Sequence, residues 1–339
     1  MKKLILFILT LAMVALCAAN LWWGSLDIPA EAVWKILCGE DVPEHPSWKF
    51  IILENRIPQM VTALCCGAAL STSGLLLQTA FRNPLAGPSI LGIDSGANLG
   101  VALAMLYLGG SVTLGSLSLD GYLLVIAAAM AGALGIMGLL LLISGLLRSP
   151  VMLLVTGVII SYVTGAVISP LNFSATEEGV HSYIMWGMGN FSGISLDRLP
   201  VYVLLCATGL TTSILLIKPL DTLLLGDNYA ANLGTSIRLT RNALLCCTGL
   251  LTATTTAFCG PISFLGLAVP HIARMVMRTG SHRILMPATM LTGGCLALLC
   301  NLCSTLPPNG SLIPINVITP LIGAPVILYV ILHSRKQQA

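Results

Sequence analysis

Apolar residues run through this chain in long blocks, and polar residues gather in the short interruptions between them. The blocks fall near residues 4–23, 57–79, 94–109, 121–144, 151–171, 200–217, 243–259, 262–277, 284–304 and 316–333. A helix that crosses the hydrocarbon core of a bilayer needs about 20 largely apolar residues. Lipid offers no partner to backbone N–H and C=O groups, so spanning segments must satisfy them internally, as helices do. The pattern predicts an all-α integral membrane protein with about ten transmembrane helices. The eighth block stands apart, because Gly260-Pro261 and Val269-Pro270 bracket a short stretch and each pair is expected to break the helix.

Between the first two blocks, residues 24–55 form an amphipathic loop in which Ile28-Pro29-Ala30-Glu31 opens a short helix at the membrane surface. The first block itself, with Lys2 and Lys3 ahead of it and Cys17-Ala18-Ala19 near its end, has the outline of a secretory signal. A cleaved signal precedes a soluble chain. Here further apolar blocks follow, and Trp22-Trp23 suit an interfacial anchor, so an uncleaved first helix is the expectation.

Composition agrees with the pattern. Of 339 residues, 56% are hydrophobic and 9% are charged; a soluble domain carries about 25% charged residues. Length alone suggests two soluble domains, but the residues left between the blocks are too few for one, which makes the chain a single transmembrane domain over 1–339. The net charge of +3 comes with no basic cluster, which argues against nucleic acid as a partner. The 11 cysteines sit mostly within apolar blocks, where a thiol packs as a small hydrophobe. No C-x-x-C pair occurs with a second such pair or with histidines at zinc spacing.

The few charges orient the chain. With Lys2 and Lys3 placed in the cytoplasm and the sides alternated, the inner set is Lys2, Lys3, Arg82, Arg148, Lys218, Arg238, Arg241, Arg274, Arg278, Arg283, Arg335 and Lys336. The outer set is only Lys35, Lys49, Arg56 and Arg198. Outer loops are acidic instead, with Asp27, Glu31, Glu40, Asp41, Glu44 and Glu54 in the first and Glu177, Glu178 and Asp197 in the third. The positive-inside rule then puts both termini in the cytoplasm and makes the helix count even.

Three segments carry more than hydropathy. Residues 67–74 supply a surface of small side chains that lets neighbouring helices approach closely, and Asn83-Pro84-Leu85-Ala86-Gly87-Pro88 after it cannot continue the helix. Asp94, in Ile-Asp-Ser-Gly-Ala, has the setting of an N-cap. Residues 223–242 form the longest cytoplasmic stretch, with two short helices expected around a break at Gly234. Such a stretch serves either as a docking surface for a soluble partner or as a plain connection. Residues 258–294 place His271, Arg274, Arg278, His282 and Arg283 at the inner face, where surface anchoring and partner contact suit them better than metal binding, since the histidines lie eleven residues apart with arginines flanking them. The sequence holds no Gly-x-x-x-x-Gly-Lys-Ser/Thr loop for ATP phosphates, so the energy source lies in a partner or an ion gradient. No nucleophile–base pair is visible, which excludes covalent catalysis as its role.

Together these segments resemble the permeases of binding-protein-dependent ABC importers for iron–siderophore complexes, haem and cobalamin, the type II or FecCD family. The resemblance runs from about residue 50 to 333 through RIPQ, SGLLLQTAFRNPLAGPSILG, LGDNYAANLG, GPISFLGLAVPHIAR and LIGAPVILYVIL, in the family's order. It implies the type II permease fold with ten helices per subunit, a homodimer in the bacterial inner membrane, two ATP-binding cassette ATPase subunits beneath, and a periplasmic or lipid-anchored substrate-binding protein above. It also implies that ATP and magnesium are used by the ATPase, and that this chain binds no cofactor or metal and is not itself an enzyme.

Carried over position by position, the resemblance makes Asn83, Pro84, Leu85 and Ala86 part of a cytoplasmic gate, with Ser149, Pro150, Val151 and Met152 as its other element. Thr156, Gly157, Ser161 and Gly165 of the fifth span and Thr319 and Gly323 of the tenth would line the pathway at the dimer axis. Within a cytoplasmic coupling segment 217–242, Gly226, Asp227, Ala230, Leu233 and Gly234 would seat on the ATPase. Arg56 and Gln59 fall where the family docks its binding protein, but Gln59 stands where a second arginine is common. Asn301 and Thr305 replace an Asp and an Arg, and Leu312-Ile313-Pro314-Ile315-Asn316 replaces Glu-Leu-Pro-x-Gly, so the docking charge is thinned. The rival class is an ion-gradient-driven secondary transporter, which wants an acidic or cationic residue deep in a span.

Overall fold

A computed structural model describes residues 1–24, 26–40, 42–109, 111–114, 117–146, 150–305 and 312–336, and each of the ten apolar blocks carries a helix. The first is α1 (Lys2–Trp22). Two short helices follow, α2 (Ala30–Leu37) and α3 (Pro46–Phe50), and a wider π-helical turn at Ile51–Arg56 leads into α4 (Ile57–Ala80). Next come α5 (Ile93–Ala102), α6 (Tyr122–Ser144), α7 (Pro150–Ser174), α8 (Glu177–Gly187) and α9 (Leu199–Leu215). The chain continues through α10 (Ile217–Leu224), α11 (Asp227–Asn232), α12 (Ile237–Cys259), α13 (Leu265–Met277), α14 (His282–Ser304) and α15 (Ile315–Lys336).

Six of these, α1, α4, α6, α7, α12 and α14, are each long and apolar enough among the described residues to cross a membrane. α9 and α10 qualify together, bent by 50°. The remaining blocks are shorter: α13, the apolar part of α15, and α5, which a π-helical turn at Leu103–Tyr107 prolongs. One feature departs from the all-helical expectation. Ser111–Leu114 and Leu117–Asp120 pair antiparallel, Ser111 opposite Asp120, between α5 and α6.

Burial sorts the helices into a centre and a surround. The apolar windows of α4 and α12 are each 78% buried, against 6% for α1, 17% for α6 and 22% for α7. In lipid, apolar side chains gain little by meeting one another, so close backbone approach must hold the centre together. At Gly67 any side chain would run into the Gly293 carbonyl of α14, and at Gly74 into the Gly266 carbonyl of α13. A hydroxyl pair, Ser73 and Thr252 at 3.0 Å, joins α4 to α12 between them. α4 is thus the axis of the bundle.

Two sequence expectations are corrected here. Pro270 does not break its helix but lies inside α13. A proline frees the carbonyl four residues back, here that of Gly266, and this oxygen is the one packed against Gly74. Asp94 is not the N-cap of α5 either: that position is Gly92, at φ +76°. Asp94 lies in the first turn, buried, and Thr256 Oγ1 of α12 donates to its Oδ1 at 2.7 Å. The break at Gly260-Pro261, the short helix near Ile28 and the break at Gly234 appear as expected, with α12 ending at Cys259 and α2 opening at Ala30. The second helix after Gly234 is not short, however; it is the start of α12.

Candidate coupling and transport site

The two ends of α4 hold the residues singled out by sequence. At its C-terminal end the chain turns sharply after Arg82, itself at φ +46°. Asn83 organises the turn, its Oδ1 accepting the Leu85 N–H at 2.9 Å and its carbonyl that of Ala86 at 3.1 Å. Such an Asx turn suits a segment in which Pro84 cannot donate. Helix α13 pins the loop: His271 Nε2 donates to the Pro84 carbonyl at 2.7 Å, which fixes the proton on that nitrogen. Arg274 donates to Gln78 Oε1 at 2.5 Å, and Gln78 donates on to the Leu267 carbonyl at 3.2 Å. Leu85 stays exposed while Ala86 is fully buried.

The short helices α10 and α11 are tied to this same end. Gly226, at φ +111°, makes the corner between them, a conformation that side chains disfavour. Asp227 opens α11 and bridges two arginines: Arg82 Nη2 donates to its Oδ1 at 2.6 Å and Arg241 Nη2 to its Oδ2 at 2.7 Å. Arg82 directly precedes the Asn83–Ala86 loop, and Arg241 lies in the second turn of α12. One carboxylate therefore links α11, the loop and α12. From α10, Asp221 Oδ1 accepts both the backbone N–H and the Nδ1–H of His282, at 2.8 and 2.7 Å, satisfying a free donor at the start of α14. The other ring nitrogen of His282 is 2.9 Å from Thr79 Oγ1. His271 and His282 are both buried, so neither serves as the surface anchor the sequence suggested. No cluster of metal-ligating side chains occurs among the described residues. Ala230 is fully buried, whereas Tyr229, Leu233, Leu224 and Leu225 are exposed apolar side chains on these helices.

Of the second gate element, Val151 and Met152 are exposed at the start of α7. Pro150 begins that helix, and Ser149, like the orienting Arg148, lies outside the described residues. The six residues expected along the pathway divide. Gly157 and Ser161 turn toward α5, Gly157 packing on the backbone of Ile90 and Leu91, and Ser161 accepting from Ser95 at 2.9 Å. Thr319 and Gly323 turn inward too, Gly323 against Phe264. Thr156 is half-buried, its hydroxyl donating to the Met152 carbonyl, and Gly165 is exposed. The open stripe of α7 is instead apolar and bulky: Val155, Ile159, Tyr162, Val163 and Phe173. A helix with this unpartnered face was legible only as uniform hydropathy.

At the opposite end of α4 the chemistry changes. Arg56 is 5% exposed, and its guanidinium donates to the carbonyls of Leu21, Trp22 and Leu26, closing the C-terminal end of α1. Gln59 Nε2 donates to Asn301 Oδ1 at 3.0 Å, Asn301 Nδ2 to Asn20 Oδ1 at 2.8 Å, and Asn20 Nδ2 to the Leu16 and Leu298 carbonyls. Arg56 and Gln59, expected to meet a binding protein, donate within the chain through the Arg56 Nη nitrogens and Gln59 Nε2 and join α1 to α4 and α14. Asn316 plays a similar part nearby, its Oδ1 accepting the Ser263 N–H at 3.0 Å and its amide donating to the carbonyls of Gly187 and Pro261. Nothing in the sequence marked Asn20 or Asn316 for these roles.

Comparison with known proteins is consistent along nearly the whole chain. Residues 10–333 match the FecCD transport family. The chain is 31% identical to the vitamin B12 import system permease protein BtuC of Salmonella typhi, covering 98% of this chain and 95% of that protein. It is also 31% identical to the Fe(3+) dicitrate transport system permease protein FecD of Escherichia coli K12, over 99% and 100% of the two. A solved structure described as an inward-facing conformation of a metal-chelate type ABC transporter superposes with a TM-score of 0.83 at 30% identity, covering 98% of this chain and 99% of that one.

Proposed function

The chain belongs to the FecCD transport family, and from that premise we propose that it is the membrane-spanning permease subunit of a binding-protein-dependent ABC importer in a bacterial inner membrane. It carries an iron chelate (siderophore or haem) or cobalamin inward by alternating access, with both termini in the cytoplasm. The names of its relatives, one importing vitamin B12 and one iron dicitrate, support that cargo class. It works as one of two copies above a pair of ATPase subunits that use ATP and magnesium, and receives cargo from a periplasmic or lipid-anchored binding protein. The bulky open stripe of α7 suits contact with a second copy around the pathway, and the acidic first turn of α8, Glu177 and Glu178, suits the outer face.

The observation that carries this reading is the Asp227 bridge. A soluble ATPase seated on exposed Tyr229 and Leu233 would move α11, and Asp227 joins α11 to the residue before the Asn83–Ala86 loop. Movement at the cytoplasmic surface thereby reaches a gate without a long lever. Gly226 provides the test, since its corner strains with any side chain although open space surrounds it. In proteoliposomes with the ATPase partner, Gly226→Trp should cut ATP-driven uptake about ten-fold, a coupling change of roughly 1.4 kcal/mol. If uptake and complex assembly both match the parent, the coupling assignment fails.

A second reading has one observation in its favour. Asp94 is a buried acid between α5 and α12 with a single hydroxyl partner, the kind of residue an ion-gradient-driven transporter uses. Uptake that persists after ATP depletion and collapses when the ion gradient is dissipated would select it.

A further inference from the structure

A cavity of about 270 Å³ lies where the end of α6 meets the start of α12. Its polar lining is Ser144, Arg238, Arg241 and Asn242, and its apolar walls include Phe81 and Leu153. Its charged groups are all cationic. Asn242 Oδ1 lies 3.2 Å from the Ser144 hydroxyl, which has one proton and is also 2.8 Å from the Leu141 carbonyl, so the asparagine amide is free to turn its nitrogen to the cavity. Arg241 spends one nitrogen on Asp227, but its Nε is buried and has no partner. Arg238 is exposed and, among the described residues, makes no hydrogen bond or ion pair. Asp227, already shared by Arg82 and Arg241, is the carboxylate at hand, so three guanidinium groups stand against one acid.

Arg238 lies against Gly145. A Cβ there would stand 2.7 Å from the Arg238 Nη2, so the guanidinium rests on the bare backbone at the end of α6. The shoulders of the cavity are greasy: Leu142 and Leu146 on either side of Gly145, and Leu239 beside Arg238, are all exposed. α6 is among the least buried of the long helices, as a lipid-facing helix should be. A partnerless Arg241 Nε, excess positive charge and flanking apolar surface at one membrane face match an anionic amphiphile.

We propose that this cavity between α6 and α12 binds the phosphate headgroup of an anionic phospholipid through Arg238, Arg241 and Asn242, with its acyl chains along Leu142, Leu146 and Leu239. The lipid would complete the charge balance beside the Asp227 bridge and steady the start of α12. A free phosphate offers the same headgroup chemistry but has no chains to use those leucines.

The test is binding to the purified full-length chain in detergent, followed by native mass spectrometry while phosphatidylglycerol, phosphatidylcholine or inorganic phosphate is titrated. Phosphatidylglycerol should bind at least about five-fold tighter than phosphatidylcholine, the worth of one interfacial arginine. Arg238→Gln should remove most of that preference, and Arg238→Lys should keep part of it. Gly145→Val should lower it too, since its side chain takes the space of the Arg238 Nη2 without changing charge, and it supplies a reading in the same direction should Arg238→Gln fail to fold. Equal binding of the two lipids by the parent would overturn the proposal. So would full preference in both variants. Inorganic phosphate competing as strongly as phosphatidylglycerol would overturn it in favour of a soluble anion. Binding is read directly, so failure here leaves the transport reading standing.

Discussion

The tie of α11 to the Arg82 end of α4 and the ties at the Arg56 end use opposite kinds of chemistry. The α11 tie is ionic and wet: the side chains of Arg82 and Asp227 are 46% and 38% exposed. Half-exposed ion pairs contribute only about 0.2–1 kcal/mol each, because water competes for both partners. At the Arg56 end, the ties are buried and mostly neutral, a chain of amides from Gln59 through Asn301 to Asn20, with one arginine sealed against three carbonyls. Opening these would strand unpaired polar groups in an apolar setting, which costs about 1–3 kcal/mol per group. The first arrangement can open and reclose at small cost; the second resists opening. A bundle built this way has one end of α4 sealed by buried amides, and at the other end a yielding tie, the one that joins α11.

The largest effect should come from putting charge into the neutral end. Asn301→Asp places an uncompensated carboxylate among buried amides and should lower stability by about 3–5 kcal/mol, measured as unfolding in detergent. Adding Gln59→Arg supplies the missing partner and should restore most of the loss. If the single variant unfolds like the parent, that end is wetter than the amide chain implies. Asp227→Ala should be milder for stability, about 1 kcal/mol, yet reduce ATP-driven uptake several-fold while the complex still assembles. A loss in stability as large as that of Asn301→Asp would erase the contrast between the ends. Smallest is Ser73→Ala, midway along α4, which removes the hydroxyl pair with Thr252 and should cost about 0.6 kcal/mol, the mean for such bonds in membrane bundles. A much larger loss would mean that the middle of the helix, and not its ends, holds the bundle.

How far the sequence can be read differs sharply along the chain. The ten blocks and their order were visible because hydropathy is carried by contiguous residues, and among the described residues six of them, with α9 and α10 together as a seventh, also reach the length a bilayer demands. The loop at Asn83–Ala86 was visible because proline forbids a helix there. Its pinning by His271 was not, since the two lie 187 positions apart in the chain. Asp94 illustrates the failure of local reasoning: an acid next to a helix start looks like a cap, and only the approach of α12 gives it Thr256 instead. Pro270 errs in the same direction: the helix runs through it, and the carbonyl it frees, that of Gly266, packs against the bare backbone of Gly74. Arg56 and Gln59 looked like surface groups since nothing local says that α1 ends beside them.

What the sequence by itself determined is therefore the membrane character, the number and order of the spans, and the family, all of which rest on composition and on short contiguous motifs. The tertiary structure alone decided which few polar residues pair with which. Asp227 with Arg82 and Arg241, Asp221 with His282, and Asn301 with Asn20 and Gln59 are each joined across distant parts of the chain or across a sharp corner. The physical reason is that hydropathy is a property of a segment, whereas a hydrogen bond is a property of two atoms within about 3 Å. Only packing of the glycine-faced helices brings such atoms that close.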